Sequence, residues 1–420
     1  MNKIKKLFSS KYMKNITVLA SGSIISQIIS MAISPLTTRL FSPTELGMYT
    51  IVTTAISLFG PIICLKYDMV IVGAESEEEA NSVITLSFII SFFLSIFLSI
   101  IYSLVFLSND YKGLNLLVII IIIFVLLLTY GTNNILIAYN NKNSLYKLIS
   151  KVTILKAIVS NSMIVLAGIF NWGVFGLSLS QIIGNLSGIK KMSTSLWSNK
   201  EKIFNINKNI LSNAFIKYIN QPKYNAFSAL VSTSIYSSIN LFIKSMYSAN
   251  ILGLYSISYR VFGIPFSVIS ANIARVFYEG ATEEKKDNGN YSKIFLKTLI
   301  FLSALIVPIM FFIAIISPWV FSLVFGDKWE VAGEYVRLLA PMFAVRLIAE
   351  SLTTSFIISF KQNVELKFQI VVLFLELITY MVTAVLNLKI EMFFLLISFI
   401  YVIVYLIMII YMYKISKLNI

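Results

Sequence analysis

Five ionisable side chains lie deep inside the predicted apolar stretches of this 420-residue chain, well away from their ends. Three are cations, Lys156, Arg260 and Arg346, and two are carboxylates, Glu350 and Glu376. A charge inside a bilayer costs a few kcal/mol or more unless it faces water or a partner, so such residues mark binding sites or ion paths. Because cations outnumber carboxylates there, the pattern favours an anionic ligand over a cationic one.

The local surroundings of these charges differ. Lys156 lies about nine residues, roughly 13 Å, from the near end of its predicted helix, which favours a role facing a cavity. Arg346 and Glu350 are one helical turn apart, so both a self-satisfied pair and a cavity-facing cation remain open. Glu376 has no cation close to it in sequence. We predict that Glu376 or Glu350 couples the protein to a proton or sodium gradient.

Polar residues also form a stripe along two predicted membrane helices, with spacings near one turn. The stripes are Ser23, Gln27, Ser30 and Ser34, and Thr233, Ser237, Asn240 and Lys244. One reading is close helix–helix packing through small polar residues. The other is that Gln27, Ser34, Thr233 and Asn240 line a water-filled cavity.

Most enzyme chemistry is excluded by what the sequence lacks. The chain has no His and one Cys, Cys64, so zinc sites, disulfides and His-based acid/base catalysis are not expected. It also has no P-loop and no acidic pair suited to acid/base work. The run Glu75–Glu79 is the only candidate metal cluster for a membrane transferase, and it lacks accompanying Asp or Arg motifs. We therefore predict no enzyme activity and no cofactor.

Composition places these residues on membrane helices. The chain is 58% hydrophobic and 13% charged, with a mean hydropathy of +0.84, which excludes an ordinary soluble domain. Apolar runs long enough to cross a bilayer recur along it and predict an all-α membrane protein of about twelve spans. The predicted spans are 15–38, 47–65, 82–107, 114–138, 146–169, 172–189, 222–245, 252–277, 293–325, 333–359, 364–387 and 391–413. Pro308 and Pro318 are expected to kink or end the longest of them.

The positive charge is distributed asymmetrically between alternate loops. With the N-terminus inside, about 24 of the 34 Lys and Arg residues fall on the cytoplasmic side and about 6 outside. The inner set begins with Lys3, Lys5 and Lys6. We therefore predict that both termini are cytoplasmic, and we interpret the net charge of +15 as membrane topology, not nucleic-acid binding.

An internal repeat sets the domain organisation. Residues 41–51 (FSPTELGMYTI) resemble residues 247–257 (YSANILGLYSI) at an offset of 206, about half of the chain. Each copy is interpreted as a short turn between two membrane helices. The repeat predicts two parallel six-helix lobes, 1–190 and 222–420, joined by a basic cytoplasmic linker at 191–221.

Residues 38–49 (TRLFSPTELGMY) resemble the signature of bacterial polysaccharide-repeat flippases, the Wzx-type O-antigen and capsule transporters of the multidrug/oligosaccharidyl-lipid/polysaccharide (MOP) superfamily. Residues 65–68 with 75–80, and 252–260, are similar too. The resemblance implies alternating-access transport of an undecaprenyl-diphosphate-linked oligosaccharide across the inner membrane. It implies a cationic cavity for the pyrophosphate, with Arg39, Lys156, Arg260 and Arg346 as the candidate cations. A polysaccharide polymerase and a chain-length regulator are the protein partners it suggests.

Two relatives with the same architecture remain alternatives. Multidrug-efflux antiporters of the superfamily share twelve spans, but they export cations and tend to keep carboxylates in their lobes. Lipid II flippases usually carry two further helices. A polysaccharide polymerase is less favoured, because polymerases typically show a large outer loop and none of the predicted outer loops is long.

Overall fold

The computed structural model of the protein describes residues 11–107, 116–198 and 208–418, with side chains from residue 18 in the first range and from residue 210 in the third. Within these ranges every regular element is helical, which confirms the all-α prediction. Lys3, Lys5 and Lys6, and residues 199–207 of the predicted linker, lie outside the described residues. The helices are α1 (Lys11–Leu40), α2 (Pro43–Phe59), α3 (Tyr67–Gly73), α4 (Glu77–Phe106), α5 (Leu116–Lys142), α6 (Tyr146–Ile169), α7 (Gly173–Met192), α8 (Thr194–Ser198), α9 (Lys208–Lys217), α10 (Phe227–Met246), α11 (Ala249–Ser258), α12 (Ile264–Asn288), α13 (Ser292–Phe325), α14 (Glu330–Leu352), α15 (Thr354–Ile358), α16 (Gln362–Val385) and α17 (Ile390–Ser416).

Eleven helical segments among the described residues are long and apolar enough to cross a membrane, and they correspond to all the predicted spans except 172–189. That span forms helix α7, which at 20 residues is about 30 Å long but is diluted by polar residues and glycines. The protein is therefore a multi-pass membrane protein, as predicted. Helix α7 is thus less apolar than the other predicted spans, and its residues line the candidate functional site.

The chain packs as two compact units. One comprises Met1–Phe41 and Met48–Leu241, and the other comprises Ser42–Gly47 and Phe242–Ile420. They are called here the N-terminal unit and the C-terminal unit. The predicted lobe bounds at residues 190 and 222 stay a prediction.

The two copies of the repeat motif form helix starts. Phe41 and Ser42 alone connect α1 to α2, so the motif is mostly the first turns of a helix and not the predicted turn. The Ser42 hydroxyl accepts a hydrogen bond from the Glu45 amide at 3.3 Å, and the Ser248 hydroxyl accepts one from the Ile251 amide at 3.2 Å. Such serine caps satisfy amides that a helix leaves unpaired at its N-terminus. Ser42 and Ser248, which are 206 residues apart, thus cap their helices in the same way.

The glycine of each copy permits a backbone contact within the C-terminal unit. A Cβ atom on Gly47 would lie 1.7 Å from the carbonyl oxygen of Ala249, and one on Gly253 would lie 1.8 Å from that of Pro43. The two contacts are related by the 206-residue offset, because Ala249 is the counterpart of Pro43. Neither position has room for any side chain. The Leu-Gly pair in the motif is therefore explained by packing.

Helix α13 continues for 34 residues through Pro308 and Pro318, so neither proline ends it, and the predicted kink stays a prediction. Pro318 lacks the N–H that would bond the Ala314 carbonyl four residues earlier. In the structure Arg337 of α14 donates from Nε to that carbonyl oxygen at 3.0 Å, and the Ser317 hydroxyl approaches it at 3.5 Å. Replacement donors of this kind allow prolines within membrane helices. Arg337 thus supplies the donor that the proline removes.

We expect Gly47→Ala and Gly253→Ala to destabilise the protein by about 3 kcal/mol each, the upper end of the usual cost of overpacking, since the added methyl group overlaps a backbone oxygen. Gly73→Ala is the matched control, because nothing lies within 4 Å of its added Cβ. The measurement is thermal unfolding of the detergent-purified protein, with the monodisperse yield beside it. Equal stability of all three variants would contradict the packing described here.

We expect Arg337→Met to cost about 1–2 kcal/mol, because it leaves the Ala314 carbonyl without its principal donor. Adding Pro318→Ala should recover much of that loss, since alanine restores the N–H that the carbonyl needs. A double-mutant cycle on thermal stability measures the coupling. Additive effects of the two substitutions would show that arginine and proline act independently.

Candidate functional site

Lys156 lies inside a polar cavity of about 190 Å³ within the N-terminal unit. It is ten residues from Tyr146, the first residue of α6, so its Cα is about 15 Å along the helix. The cavity, called here the Lys156 cavity, is lined by Ser30, Lys156, Ala157, Ser160, Asn161, Gln181, Gly184 and Asn185. Three membrane-embedded helices, α1, α6 and α7, supply these residues.

The Lys156 ammonium group is held by a side-chain amide. Its Nζ donates a short hydrogen bond to Oδ1 of Asn133 on α5, and Asn133 in turn donates from Nδ2 to the Asn185 carbonyl at 3.2 Å. Within the described residues no carboxylate lies within 4.0 Å of Lys156. The cation is thus oriented but not neutralised by the protein, which leaves its charge to attract an anion.

The other amide side chains of the cavity are tied to neighbouring helices. Asn161 donates from Nδ2 to the Ser30 hydroxyl at 3.2 Å, and the Tyr49 hydroxyl donates to Oε1 of Gln181 at 3.4 Å. Asn185 approaches the Thr129 hydroxyl at 3.5 Å. These bonds hold the amides in place, and amides with hydroxyls are the groups that recognise sugar hydroxyls as donors and acceptors.

Small residues of α7 make room for the lysine. A Cβ on Gly184 would lie 2.7 Å from Cβ of Ser160, and one on Gly188 would lie 2.7 Å from Cε of Lys156. The two glycines are four residues apart, the spacing that lets membrane helices approach closely. The lysine stem therefore passes over Gly188, and α7 both shapes the cavity and supplies its amides.

A second charged group lies in the C-terminal unit and is called here the Arg346 cluster: Tyr259, Ser270, Arg346 and Glu350. Arg346 is 6% exposed, and its Nε donates to Oε1 of Glu350 at 2.8 Å. Its Nη1 donates to the Tyr259 hydroxyl at 3.3 Å, and the Ser270 hydroxyl donates to the other carboxylate oxygen of Glu350 at 3.1 Å. Arg346 and Glu350 therefore satisfy each other, the first of the two readings that the sequence left open.

Arg260 follows Tyr259 on a π-helical turn, Tyr259–Gly263, that joins α11 to α12. Its side chain is half-buried. Such wide turns are frequent at functional sites in helices. The turn places Arg260 next to the tyrosine that receives Arg346, so the structure brings two of the predicted cations to the same part of the C-terminal unit.

Glu376 is completely buried on α16. The Tyr401 hydroxyl of α17 donates a short hydrogen bond to its Oε1 atom. The Tyr255 hydroxyl interacts electrostatically with both Glu376 and Arg346. The carboxyl therefore has partners from other helices, which the sequence could not name.

The other predicted site residues belong neither to the lining of the Lys156 cavity nor to the Arg346 cluster. Arg39 is exposed at the last turn of α1. Gln27 is half-buried, and Ser34 is buried with no hydrogen-bond partner for its hydroxyl among the described residues. The Thr233 hydroxyl donates to the Leu58 carbonyl at 3.0 Å, and Asn240 donates to the Thr54 hydroxyl at 3.0 Å. Thr233 and Asn240 thus make helix–helix contacts with α2.

Sequence reasoning missed Asn133 and Tyr401, although a signal for both existed. Asn133 is nine residues before the end of α5, and Lys156 is ten residues after the start of α6. In an antiparallel helix pair, residues equidistant from the turn lie at the same depth. Glu376 and Tyr401 are likewise nine and eleven residues from the facing ends of α16 and α17. Hairpin register would have paired each charge with its partner.

Comparison with solved structures identifies the fold. The chain is similar to the lipid II flippase MurJ in an inward closed conformation, with a TM-score of 0.72 and 15% identity over 95% of this chain and 90% of that one. It is also similar to an inward-facing multidrug resistance MATE family transporter of the MOP superfamily, with a TM-score of 0.69 and 14% identity over 93% and 98% of the two chains. The protein has the fold of MOP-superfamily transporters, as the sequence predicted.

The family follows from the sequence itself. Residues 36–334 match the family model described as polysaccharide biosynthesis protein, so the chain belongs to that family. It is also 28% identical over 147 residues to an uncharacterized membrane protein in the cps region of Klebsiella pneumoniae. That match spans 34% of this chain and 30% of the relative.

We expect Arg346→Met to destabilise the protein by about 2–3 kcal/mol, because it leaves the Glu350 carboxylate without its guanidinium partner. The double variant Arg346→Met/Glu350→Gln should regain at least half of that loss, since no charge is then left unpaired. Thermal unfolding of the purified protein measures both. If the double variant is less stable than the single one, the pair is not the principal role of Arg346.

Proposed function

We propose that the protein is a flippase that moves an undecaprenyl-diphosphate-linked oligosaccharide repeat unit across the bacterial inner membrane by alternating access. Membership of the polysaccharide biosynthesis protein family supports the class of substrate. The observation that carries the proposal is the Lys156 cavity, where a membrane-embedded ammonium group has an amide partner and no carboxylate within 4.0 Å in the described part of the chain.

The chemistry of the cavity suits a phosphorylated sugar. A lysine ammonium attracts phosphate oxygens or an acidic sugar, and the low dielectric of the membrane strengthens that attraction. Ser30, Asn161, Gln181 and Asn185 add the neutral donors and acceptors that hydroxyl groups need. An efflux carrier of cationic drugs would be poorly served by an unneutralised lysine, so the cavity favours the saccharide over the drug.

The other predicted residues have distinct parts in this proposal. Arg260, on its π-helical turn, is a further candidate cation for the substrate, and Arg346 contacts Tyr259 of the same turn. Arg39, exposed at the end of α1, would meet the head group at the membrane surface.

Glu376 and Glu350 are the candidates for coupling to a proton or sodium gradient. Both termini are proposed to be cytoplasmic, and a polymerase with a chain-length regulator would act on the translocated product.

We expect Lys156→Gln to lower surface polysaccharide at least tenfold, about 1.4 kcal/mol of lost stabilisation, because a neutral amide cannot form an ion pair with phosphate. Lys156→Arg should keep more activity than Lys156→Gln, since it retains the charge. The matched control is Lys151→Gln, an exposed lysine on the same helix. Cells lacking the chromosomal gene and carrying each variant are assayed for surface polymer and for lipid-linked repeat units accumulating on the inner leaflet.

Three outcomes would contradict the proposal. Normal polymer with Lys156→Gln would remove the cavity from the mechanism. Normal polymer in cells without the gene, with raised sensitivity to cationic drugs, would favour the multidrug antiporter. Loss of cell-wall integrity without accumulation of lipid-linked repeat units would favour the lipid II flippase. Membrane abundance of each variant is measured by immunoblot, so that lost insertion is not mistaken for lost transport.

A further inference from the structure

Asn133 is a buried asparagine on α5 whose two N–H groups are both used within the N-terminal unit. It donates from Nδ2 to the Thr129 carbonyl one turn earlier on α5 at 2.8 Å, and to the Asn185 carbonyl on α7 at 3.2 Å. If the amide were turned over, its oxygen would face these two carbonyl oxygens, so only one orientation is favourable. The Oδ1 atom is therefore left for Lys156, from which it accepts a short hydrogen bond.

Asn140 repeats this pattern about two turns later on α5. It donates from Nδ2 to the Leu136 carbonyl at 2.7 Å and to the Met192 carbonyl, at the end of α7, at 2.9 Å. In both cases the α7 carbonyl lies 52 residues after the asparagine. The Oδ1 atom of Asn140, however, is buried with no hydrogen-bond partner among the described residues. Asn133 and Asn140 thus fasten α5 to α7 in the same way and differ in what their oxygen atoms contact.

The comparison of the two asparagines separates two roles of Asn133. Asn140 fastens the helices without any use of its oxygen atom, so the bond from Lys156 to Asn133 is additional to the packing. The lysine stem passes over Gly188, where an added Cβ would lie 2.7 Å from Cε. Within the described residues the hydrogen-bond partner of the ammonium group is Oδ1 of Asn133, and two further N–H groups remain for a ligand.

The neutrality of this amide matters as much as its position. A carboxylate at the same place would form an ion pair with Lys156, and the site would then carry no net charge to attract an anion. An amide oxygen accepts the hydrogen bond and leaves the positive charge uncompensated, since no carboxylate lies within 4.0 Å of Lys156 among the described residues. The residue at position 133 therefore decides whether the cavity can form an ion pair with a phosphate group.

We propose that Asn133 is the positioning residue of the Lys156 cavity and sets its preference for anions. Its oxygen atom directs the ammonium group into the cavity, and its lack of charge leaves that group available to phosphate oxygens. The inference rests on the proposed function for the identity of the anion, the diphosphate of the lipid-linked repeat unit. It goes beyond that function because it assigns the choice of charge to a residue of α5 outside the cavity lining.

Aspartate at each position tests the role of charge. Asn133→Asp and Asn140→Asp remove the same N–H donors, but the new carboxylate meets Lys156 only at position 133, whereas in the described structure Oδ1 of Asn140 has no partner. We expect Asn140→Asp to lower the melting temperature of the purified protein more than Asn133→Asp. Surface polymer, corrected for membrane abundance by immunoblot, should show the opposite order, with at least a tenfold loss for Asn133→Asp. If polymer instead falls in step with stability, Asn133 has only a packing role and the proposal is overturned.

Leucine at each position provides a second pair if an aspartate variant does not fold. Asn133→Leu and Asn140→Leu remove the same two hydrogen bonds to the backbone without adding a charge, so their stabilities should be similar. Because Asn133→Leu also releases the lysine, it should lower surface polymer at least threefold more than Asn140→Leu. Equal polymer from the two leucine variants would also overturn the proposal.

Retention of a defined lipid measures whether Asn133 acts through Lys156. The probe is undecaprenyl diphosphate, bound to the full-length protein in phosphatidylcholine nanodiscs and counted by native mass spectrometry. Lys156→Gln should lower retention about tenfold, Asn133→Leu should lower it at least threefold, and the double variant should lose no more than Lys156→Gln. Undecaprenol, which has no charge, should be retained equally by all of these variants. Unchanged retention in Asn133→Leu, additive losses, or equal losses of undecaprenol would contradict the proposal.

Cells without the gene separate this inference from the proposed function. If those cells lose polymer but the two asparagine positions give equal effects, the role of Asn133 fails and the flippase proposal stands. If those cells keep normal polymer, the flippase proposal fails, and retention of undecaprenyl diphosphate still decides whether Asn133 directs Lys156 towards an anion. Loss of polymer in those cells, together with effects concentrated at position 133, supports both.

Discussion

The Lys156 ammonium group lies about 15 Å along a membrane helix and needs polar partners. Much of the N-terminal unit is arranged to provide them. Asn133 orients the group without neutralising it, and the bond from Asn133 to the Asn185 carbonyl joins α5 to α7. Because no carboxylate lies within 4.0 Å of Lys156 among the described residues, its charge remains available. The same demand accounts for the amides on α7 and for the glycines that let the helix approach.

The C-terminal unit meets the same demand differently. Arg346 is paired with Glu350, and Glu376 is held by a tyrosine, so the charges there are largely satisfied inside the protein. A satisfied pair stabilises an arrangement, whereas an unneutralised cation attracts a ligand. The two units therefore differ in how their charges are used, and the contrast places the proposed binding role with Lys156 more than with Arg346.

The sequence predicts the fold well because hydropathy and the repeat are both long-range patterns. It places Lys156 in the interior of its helix and offers the Arg346–Glu350 pair as one of two readings, because each depends on spacing within a single helix. Tyr259 and the Arg337 bond to Ala314 could not be predicted, since each depends on how two helices rotate against each other. Asn133 and Tyr401 lie between these cases, because hairpin register brings them near their partners but does not guarantee the contact.

The polar character of α7 has a consequence for how the protein is made. A segment carrying Gln181, Asn185 and several serines gains little free energy by entering hydrocarbon alone. We therefore expect α7 to insert poorly as a single helix during synthesis. Helix α6 leaves the ribosome first and presents the surface against which Gly184 and Gly188 pack. We therefore expect the two helices to enter the bilayer as one hairpin, with biogenesis of α7 dependent on its predecessor.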